Sequence, residues 1–505
     1  VNSPNPAGLP LEAQVGQLLM PAIAGIGYNE SSPLFQWAAR LAYECGVGGF
    51  ALFHTSAHDA MRLTGALQEI SSLSLLFAAD LEAGPGVHLA DGAIFPANMA
   101  LGRTGQPALA REAGRLTALS ARMAGINFVF APVADVNSNP LNPIICTRSY
   151  GKDPQTAADF AAEFVAGCQD AGCLATAKHF PGHGDTEADS HSDLPVIRKS
   201  REQLDRVELP PFVSTIKAGV RAIMTGHLAV PALDSTGVPA TMSKNIITTL
   251  LRNQLGFDGL VVTDALIMDA VKQRWPQEEI FARAIEAGCD ILLMPEDPLY
   301  AHGRIVEMAQ QGRIDRRRIE ESCSRVLAAK KWLAEKPAAP PKDLNAQCSA
   351  FALKTAREGM FVDCAAKLPL QNPAKCAALL AMPDRVLDFN PFAASLKLLA
   401  PAVGIRRISP APTETETASA LKEIEGAENV IAALYPVAAA WSNGTRVSAP
   451  LKNLLARIAR RKNLIVVSFG SPYIRRDLRE ARNFICPYGD CPASQQAVAQ
   501  VILGT

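Results

Sequence analysis

A (β/α)8 barrel of the TIM type followed by a smaller doubly wound α/β domain is the fold class predicted for this 505-residue chain, and three observations predict it. Short apolar runs alternate with longer amphipathic stretches through the first 330 residues, as in repeated strand and helix units around a parallel sheet. Several of those runs end in charged or histidine-containing sequence, and a proline-rich break separates them from a second region with the same alternation.

Eight candidate strands can be counted. They are QLLMPAIAG at 17–25, GGFALF at 48–53, LSLLFAAD at 73–80, INFVFAPVADV at 126–136, CLATAKHF at 173–180, RAIMTGHL at 221–228, GLVVTDAL at 259–266 and CDILLMP at 289–295. Between them lie helical candidates such as 107–124 and 155–171, rich in Ala, Leu, Glu and Arg. The polar endings include AAD-LE at 78–82, TAKHF at 176–180, TGH at 225–227 and TDA at 263–265. In a barrel the carboxyl ends of the strands meet on one face, so these side chains are expected to share a pocket.

The stretch AEKPAAPPKDLNAQ, residues 334–347, combines three prolines with charge and has no helical period, which predicts an extended linker. The expected division is a barrel domain over 1–333, the linker over 334–347 and an α/β domain over 348–505. In the last of these, apolar runs at 376–381, 429–435 and 463–469 alternate with helical candidates such as 449–461. No Gly-x-Gly-x-x-Gly follows its strands, so nothing points to a dinucleotide.

The 49 basic and 49 acidic residues cancel. No global charge recruits nucleic acid or an anionic membrane, and small neutral or weakly charged ligands fit better. No apolar run approaches the about 20 residues of a membrane span. The eleven cysteines are odd in number and form no Cys-x-x-Cys pair, which favours small apolar packing roles and a reducing, cytoplasmic compartment. Because the chain starts at Val1 without a leader, an envelope or secreted location after trimming stays open. Nothing in the sequence fixes the oligomeric state.

KHFPGHGDTEADSHSDLP, residues 178–195, is the most informative segment, with three of the eight histidines inside thirteen positions. Lys178 and His179 close an apolar strand, Pro181 to Gly184 must turn sharply, and the remainder is too polar for a core. A solvated surface loop is one reading. A metal site of His179, His183 and His191 is another, disfavoured because Pro181, Gly182 and Gly184 break any helix that would align the rings. A catalytic loop after a barrel strand is the third.

The run Lys-His-Phe-Pro-Gly-His-Gly, four residues, then Asp-Ser-His resembles the signature of the β-N-acetylglucosaminidase branch of glycoside hydrolase family 3. The resemblance implies that Asp189 and His191 form a dyad in which His191 is the general acid/base, and that Lys178 and His179 bind sugar hydroxyls. GFDGLVVTDALIMDAV at 256–271 is similar to the family's nucleophile strand, which gives Asp264 the nucleophile's place and sets Met268 beside the substrate. Taken alone, Asp264 also reads as a helix cap after a strand. FAADLEAGPG at 77–86 and CTRSYGKDP at 146–154 resemble the segments that bring Asp80 and Arg148 to the terminal sugar. IMTGHLAVPALD at 223–234 resembles the strand ending in an active-site histidine, while His227 reads equally as a satisfied buried histidine.

The resemblance covers residues 10–330, and the C-terminal part is similar to the second domain of two-domain members. In one respect the chain departs from the pattern: where single-domain members carry an arginine after the acidic-glycine motif, Pro85, Gly86, Val87 and His88 stand here. The implied activity is that of a retaining exo-β-N-acetylglucosaminidase, using no metal or organic cofactor and acting on oligosaccharides or muropeptides that end in N-acetylglucosamine. A phosphorylase sharing the covalent intermediate and a non-catalytic sugar-binding barrel are the alternatives.

Overall fold

The computed structural model describes residues 6–25, 27–186, 194–336, 340–382, 390–436 and 446–504. It divides into two compact units. The first comprises 1–93, 106–142 and 149–348; the second comprises 94–105, 143–148 and 349–505.

The first unit is built on parallel strands β1 (Leu19–Met20), β2 (Ala22–Ala24), β3 (Gly49–Phe53), β4 (Leu76–Ala79), β5 (Phe128–Val129), β6 (Leu174–Phe180), β7 (Ala222–Thr225), β8 (Leu260–Val262) and β9 (Leu292–Leu293). β1 and β2 are two halves of one strand interrupted at Pro21, which has no N–H for the ladder. β2 to β8 pair in sequence order, β8 continues through a Val262–Ile291 bridge, and β1 pairs with β9 through Leu19–Leu292 and Met20–Leu293. The sheet is thus closed into an eight-stranded barrel with no free edge. Its strands are apolar almost throughout because both faces are covered, one by Met20, Ala51, Leu76, Phe128, Leu174, Met224 and Leu260 in a common core. The helix Arg316–Ala334 adds Val326, Ala329 and Leu333 to that core.

Several strands are shorter than the sequence predicts. The run at 126–136 contributes only Phe128–Val129 to the sheet as regular strand, because Pro132 cannot donate a ladder bond. Beyond it the chain still follows β6 through Lys178 N to Pro132 O at 3.1 Å and Ala134 N to Lys178 O at 2.7 Å. The helices Pro107–Met123 and Pro154–Asp170 occupy nearly the predicted ranges. Asp153 caps the second by accepting from Thr156 N at 2.8 Å. The two helices pack backbone to backbone, since a Cβ on Gly114 would strike the Phe164 carbonyl and one on Gly167 the Arg111 carbonyl. Of the stretch read as a linker, Ala334 ends one helix, Leu344 begins another that runs to Gly359, and 337–339 lie outside the described residues.

In the second unit, β10 (Phe361–Cys364), β11 (Cys376–Ala381), β12 (Gly404–Ile408), β13 (Asn429–Leu434), β14 (Asn463–Ser468) and β15 (Asn483–Cys486) lie in the order β10-β15-β14-β13-β11-β12. All pairs are parallel except β10 with β15. Alternate residues enter separate cores on the two faces: Leu379, Val430, Ala432 and Val466 face one, Leu380, Ile431, Ala433 and Val467 the other. This double covering gives the sheet its doubly wound α/β form. Ten of the eleven cysteines are buried, as small apolar side chains are. Among the described residues no helix is long and apolar enough to cross a membrane.

Candidate active site

The polar strand endings fall at the carboxyl ends of the barrel strands. Asp80 follows β4, Asp135 lies beyond β5, Lys178 and His179 close β6, His227 follows β7 and Asp264 follows β8. The strand ladder fixes their backbones, so the side chains are aimed by the most rigid part of the fold.

Lys178 is only 2% exposed, and an ammonium so placed requires opposite charge. Its Nζ lies 2.5 Å from Asp80 Oδ1 and 2.6 Å from Glu82 Oε1. Two carboxylates on one ammonium leave this group of three with a net negative charge. Asp80 remains about a third exposed, so the carboxylate can also accept hydrogen bonds from a ligand's hydroxyl groups.

Next to Lys178, His179 is held from one side by Asp135. Asp135 Oδ2 lies 2.7 Å from His179 Nδ1, the same carboxylate accepts from His179 N, and its Oδ1 accepts from His183 N at 2.6 Å. Burial alone would raise the Asp135 pKa, but the His179 ring, its hydrogen bond and the His183 contacts hold it below the usual carboxylate range. With Nδ1 committed to Asp135, His179 has Nε2 left for other partners.

His183 turns the chain after β6. Burial, with His179 adding to it, lowers its pKa to about 4 against the opposing charges of Asp135 and Asp264, so the ring is neutral at pH 7. Thr186 Oγ1 lies 2.9 Å from His183 Nδ1, and Asn142 Nδ2 donates to His183 O at 2.8 Å. The segment 187–193, which contains Asp189 and His191, lies outside the described residues. Among the described residues no group of three His, Cys, Asp or Glu could hold a metal ion.

Asp264 continues the β7–β8 pairing, donating from its N–H to Thr225 O at 3.1 Å. Its Oδ1 accepts from Ala265 N at 2.8 Å, which fixes the carboxylate against the backbone. His227 is fully buried, with Nε2 3.1 Å from Ala265 O and Nδ1 2.8 Å from Thr241 Oγ1. Because a carbonyl only accepts, Nε2 carries the proton, and Nδ1 shares a hydrogen bond with the Thr241 hydroxyl. His227 is therefore a satisfied buried histidine that also bears on Ala265, the residue whose N–H holds Asp264. Met268 is buried just before the short helix Asp269–Lys272.

Arg148 lies on the turn Cys146–Arg148, which groups with the second unit, and its carbonyl accepts from Asn98 Nδ2 at 2.8 Å within that unit. At the departure noted in the sequence, Pro85–Val87 form a 3-10 turn and His88 packs edge-on against Phe53 and His54 at 4.9 and 4.8 Å. Burial lowers the His88 pKa, with the charges of Asp80 and Glu82 opposing.

Sequence reasoning missed Asp135 and Glu82 as named site residues. Glu82 was visible in the acidic pair that closes AAD-LE, two residues beyond Asp80. Asp135 gave less warning, as a single acid within the run INFVFAPVADV.

Residues 10–329 match the glycosyl hydrolase family 3 N terminal domain. A β-N-acetylglucosaminidase/β-glucosidase of Cellulomonas fimi is 35% identical over 293 residues, covering 56% of this chain and 52% of that protein. A β-hexosaminidase of Thiobacillus denitrificans is 36% identical over 262 residues, 50% of this chain and 72% of that protein. The chain thus spans about half the length of the Cellulomonas relative. Among solved structures, a glycoside hydrolase family 3 β-N-acetylglucosaminidase from Paenibacillus sp. str. FPU-7 superposes with a TM-score of 0.88 at 33% identity, over 98% of this chain and 97% of that one. A β-glucoside phosphorylase shares the fold at 22% identity, with a TM-score of 0.89 over 99% and 93%.

Proposed function

The chain belongs to glycosyl hydrolase family 3, and from that premise we propose that it is a retaining exo-β-N-acetylglucosaminidase acting on small oligosaccharides that end in N-acetylglucosamine. Asp264 is the nucleophile, His191 the general acid/base and Asp189 its orienting carboxylate. Lys178, Asp80 and His179 hold the sugar, and Met268 packs against it.

The observation that carries this reading is that Asp80, Lys178, His179 and Asp264 all stand at the carboxyl ends of strands of one closed barrel. His183 stands on the turn that follows β6 and precedes residues 187–193, which carry Asp189 and His191. In the first step Asp264 attacks the anomeric carbon while protonated His191 gives its proton to the departing oxygen. In the second, neutral His191 takes a proton from water, which displaces Asp264 and restores the original anomeric configuration. His227 acts as a positioning residue, by way of Ala265. Two displacements by a carboxylate and an imidazole need neither metal nor organic cofactor.

The printed names of the Cellulomonas and Paenibacillus relatives support N-acetylglucosamine as the terminal sugar. Chitin oligosaccharides and muropeptide fragments both present it. The printed names of the Cellulomonas, Thiobacillus and Paenibacillus relatives are those of hydrolases, which supports water rather than phosphate as acceptor.

Aryl β-N-acetylglucosaminide and aryl β-glucoside, each offered with and without phosphate, test the proposal. Free N-acetylglucosamine from the first substrate in both conditions is the expected result. Sugar 1-phosphate appearing only with phosphate would establish the phosphorylase instead, and no turnover of either substrate would establish a sugar-binding barrel.

A further inference from the structure

Away from the sugar-facing cluster, four side chains join the two flanks of segment 187–193. On the incoming flank, Asn139 N donates to Gly184 O at 3.2 Å and Asn142 Nδ2 donates to Thr186 Oγ1 at 3.2 Å. On the outgoing flank, Ala229 N donates to Pro195 O and Ile197 N to Ala229 O, both at 2.9 Å. Each flank is therefore fastened to the barrel separately.

Among the described residues, Lys199 joins one flank to the other. Its Nζ lies 2.6 Å from Glu208 Oε1, 3.1 Å from Ser138 Oγ and 3.5 Å from Asp185 Oδ1. Ser138 Oγ in turn stands 3.2 Å from Glu208 Oε1 and 3.4 Å from Asp185 Oδ1, and its single proton serves one of these acceptors at a time. Glu208 is fully buried and packs on the incoming turn, where a Cβ on Gly182 would come within 2.8 Å of its own Cβ.

Resting on the reading of His191 as acid/base, we infer that Lys199 and Glu208, with Ser138 and Asp185, form a clamp that sets the span between the two ends of the acid/base segment. All four are positioning residues, acting through the segment rather than on the sugar. A buried ion pair adds little stability over a well-packed apolar pair of the same volume, so its presence is better explained by geometry than by stability. Charge and hydrogen bonds fix Asp185 against Lys199 at one distance, which apolar contact would leave loosely defined. Among the described residues Glu208 Oε2 is buried without a hydrogen-bond partner, a cost the fold carries to keep the carboxylate at that point.

The test uses the full chain carrying Lys199→Met, Glu208→Gln or Ser138→Ala, with His191→Ala in parallel. kcat/KM is measured on an alkyl β-N-acetylglucosaminide and on its 2,4-dinitrophenyl counterpart. The alkyl substrate needs protonation to leave, so its kcat/KM should fall about 10- to 100-fold, the order expected when a catalytic group is misplaced by about 1 Å. The dinitrophenyl value should stay within about 3-fold, and azide should raise turnover of that substrate by attacking the intermediate without a base. Equal losses on both substrates, or no loss on either, would overturn the clamp. Ser138→Ala keeps the ion pair, so it reads the effect even where Glu208→Gln fails to fold. Leaving-group dependence in His191→Ala but in none of the clamp variants overturns the clamp alone, while its absence from His191→Ala overturns the acid/base assignment and the clamp's role with it.

Discussion

His227 donates from Nε2 to the carbonyl oxygen of Ala265 at 3.1 Å, and the N–H of that same Ala265 holds Asp264 Oδ1 at 2.8 Å. The backbone of one residue, Ala265, thus links the orientation of a buried ring to a carboxylate. His227→Ala should lower kcat by about 10- to 100-fold with KM little changed, because the carboxylate loses alignment and the sugar contacts stay. A rise in KM with kcat preserved would assign His227 to the sugar instead.

Asp264→Asn and Asp264→Ala should fold normally and lose several orders of magnitude in turnover, roughly the loss seen when a covalent catalyst loses its nucleophile. A slow 5-fluoro glycoside should label the unaltered enzyme on Asp264. Peptide mass spectrometry that finds the sugar on another carboxylate refutes the assignment.

Replacing His191 by Ala should cripple substrates with poor leaving groups and spare kcat/KM on acidic phenols, while azide yields a β-glycosyl azide. Asp189→Asn should give a milder form of the same defect, since the imidazole survives without its orienting charge. Equal loss on all leaving groups, with no azide product, would move the acid/base role to another residue.

Asp80→Ala removes one of the two carboxylates on Lys178 and the exposed acceptor beside it. Hydrogen bonds from hydroxyls to a charged group contribute about 1.5–3 kcal/mol, so kcat/KM should drop by about 10- to 100-fold. The same substitution should cost almost nothing further on a deoxy-sugar that lacks the bonded hydroxyl. Full loss on every deoxy-sugar would make Asp80 a structural partner of Lys178 only.

Burial pushes the Lys330 amine down from 10.5 to about 7, where Nζ donates to Gln17 Oε1 at 2.5 Å. Between those values the unfolded chain keeps a proton that the folded chain has released, so this group makes stability rise with pH across the window. As pH falls from the upper value to the lower, its contribution should become less favourable by on the order of 4 kcal/mol. The stability difference between Lys330→Met and the unaltered protein, from urea unfolding at pH 7 and 9.5, should therefore favour the variant at pH 7 and shrink at pH 9.5. A difference independent of pH would show that Lys330 stays charged in the fold.

Strand positions were legible because a parallel barrel covers both faces of each strand, so apolar runs such as GGFALF and GLVVTDAL stand out against their polar ends. Strand lengths were not, since whether a residue after Pro132 rejoins the ladder depends on its neighbour β6. Lys178 and Asp80 could be found from motifs, but the pairing of Asp135 with His179 joins positions 44 apart, and no local pattern encodes it. For His227 the sequence left two readings level, and burial with both ring nitrogens engaged is a fact of tertiary packing. The grouping of 94–105 and 143–148 with the second unit was likewise invisible, because neither segment differs in composition from its surroundings.

The pairing of Leu19 with Leu292 sets an order of events during synthesis. A ribosome releases the amino-terminal strand first, yet its partner emerges only after almost the entire barrel has been made. Until then β1 presents open backbone groups of the kind that recruit other chains. Contacts so distant along the chain form slowly, so a nascent barrel spends its longest exposed interval as an open sheet. The helix Arg316–Ala334, which brings Leu333 to the strand core, emerges later still. A stop codon placed between residues 293 and 316 would therefore yield a chain with every strand of the barrel and a barrel core that still lacks its last layer.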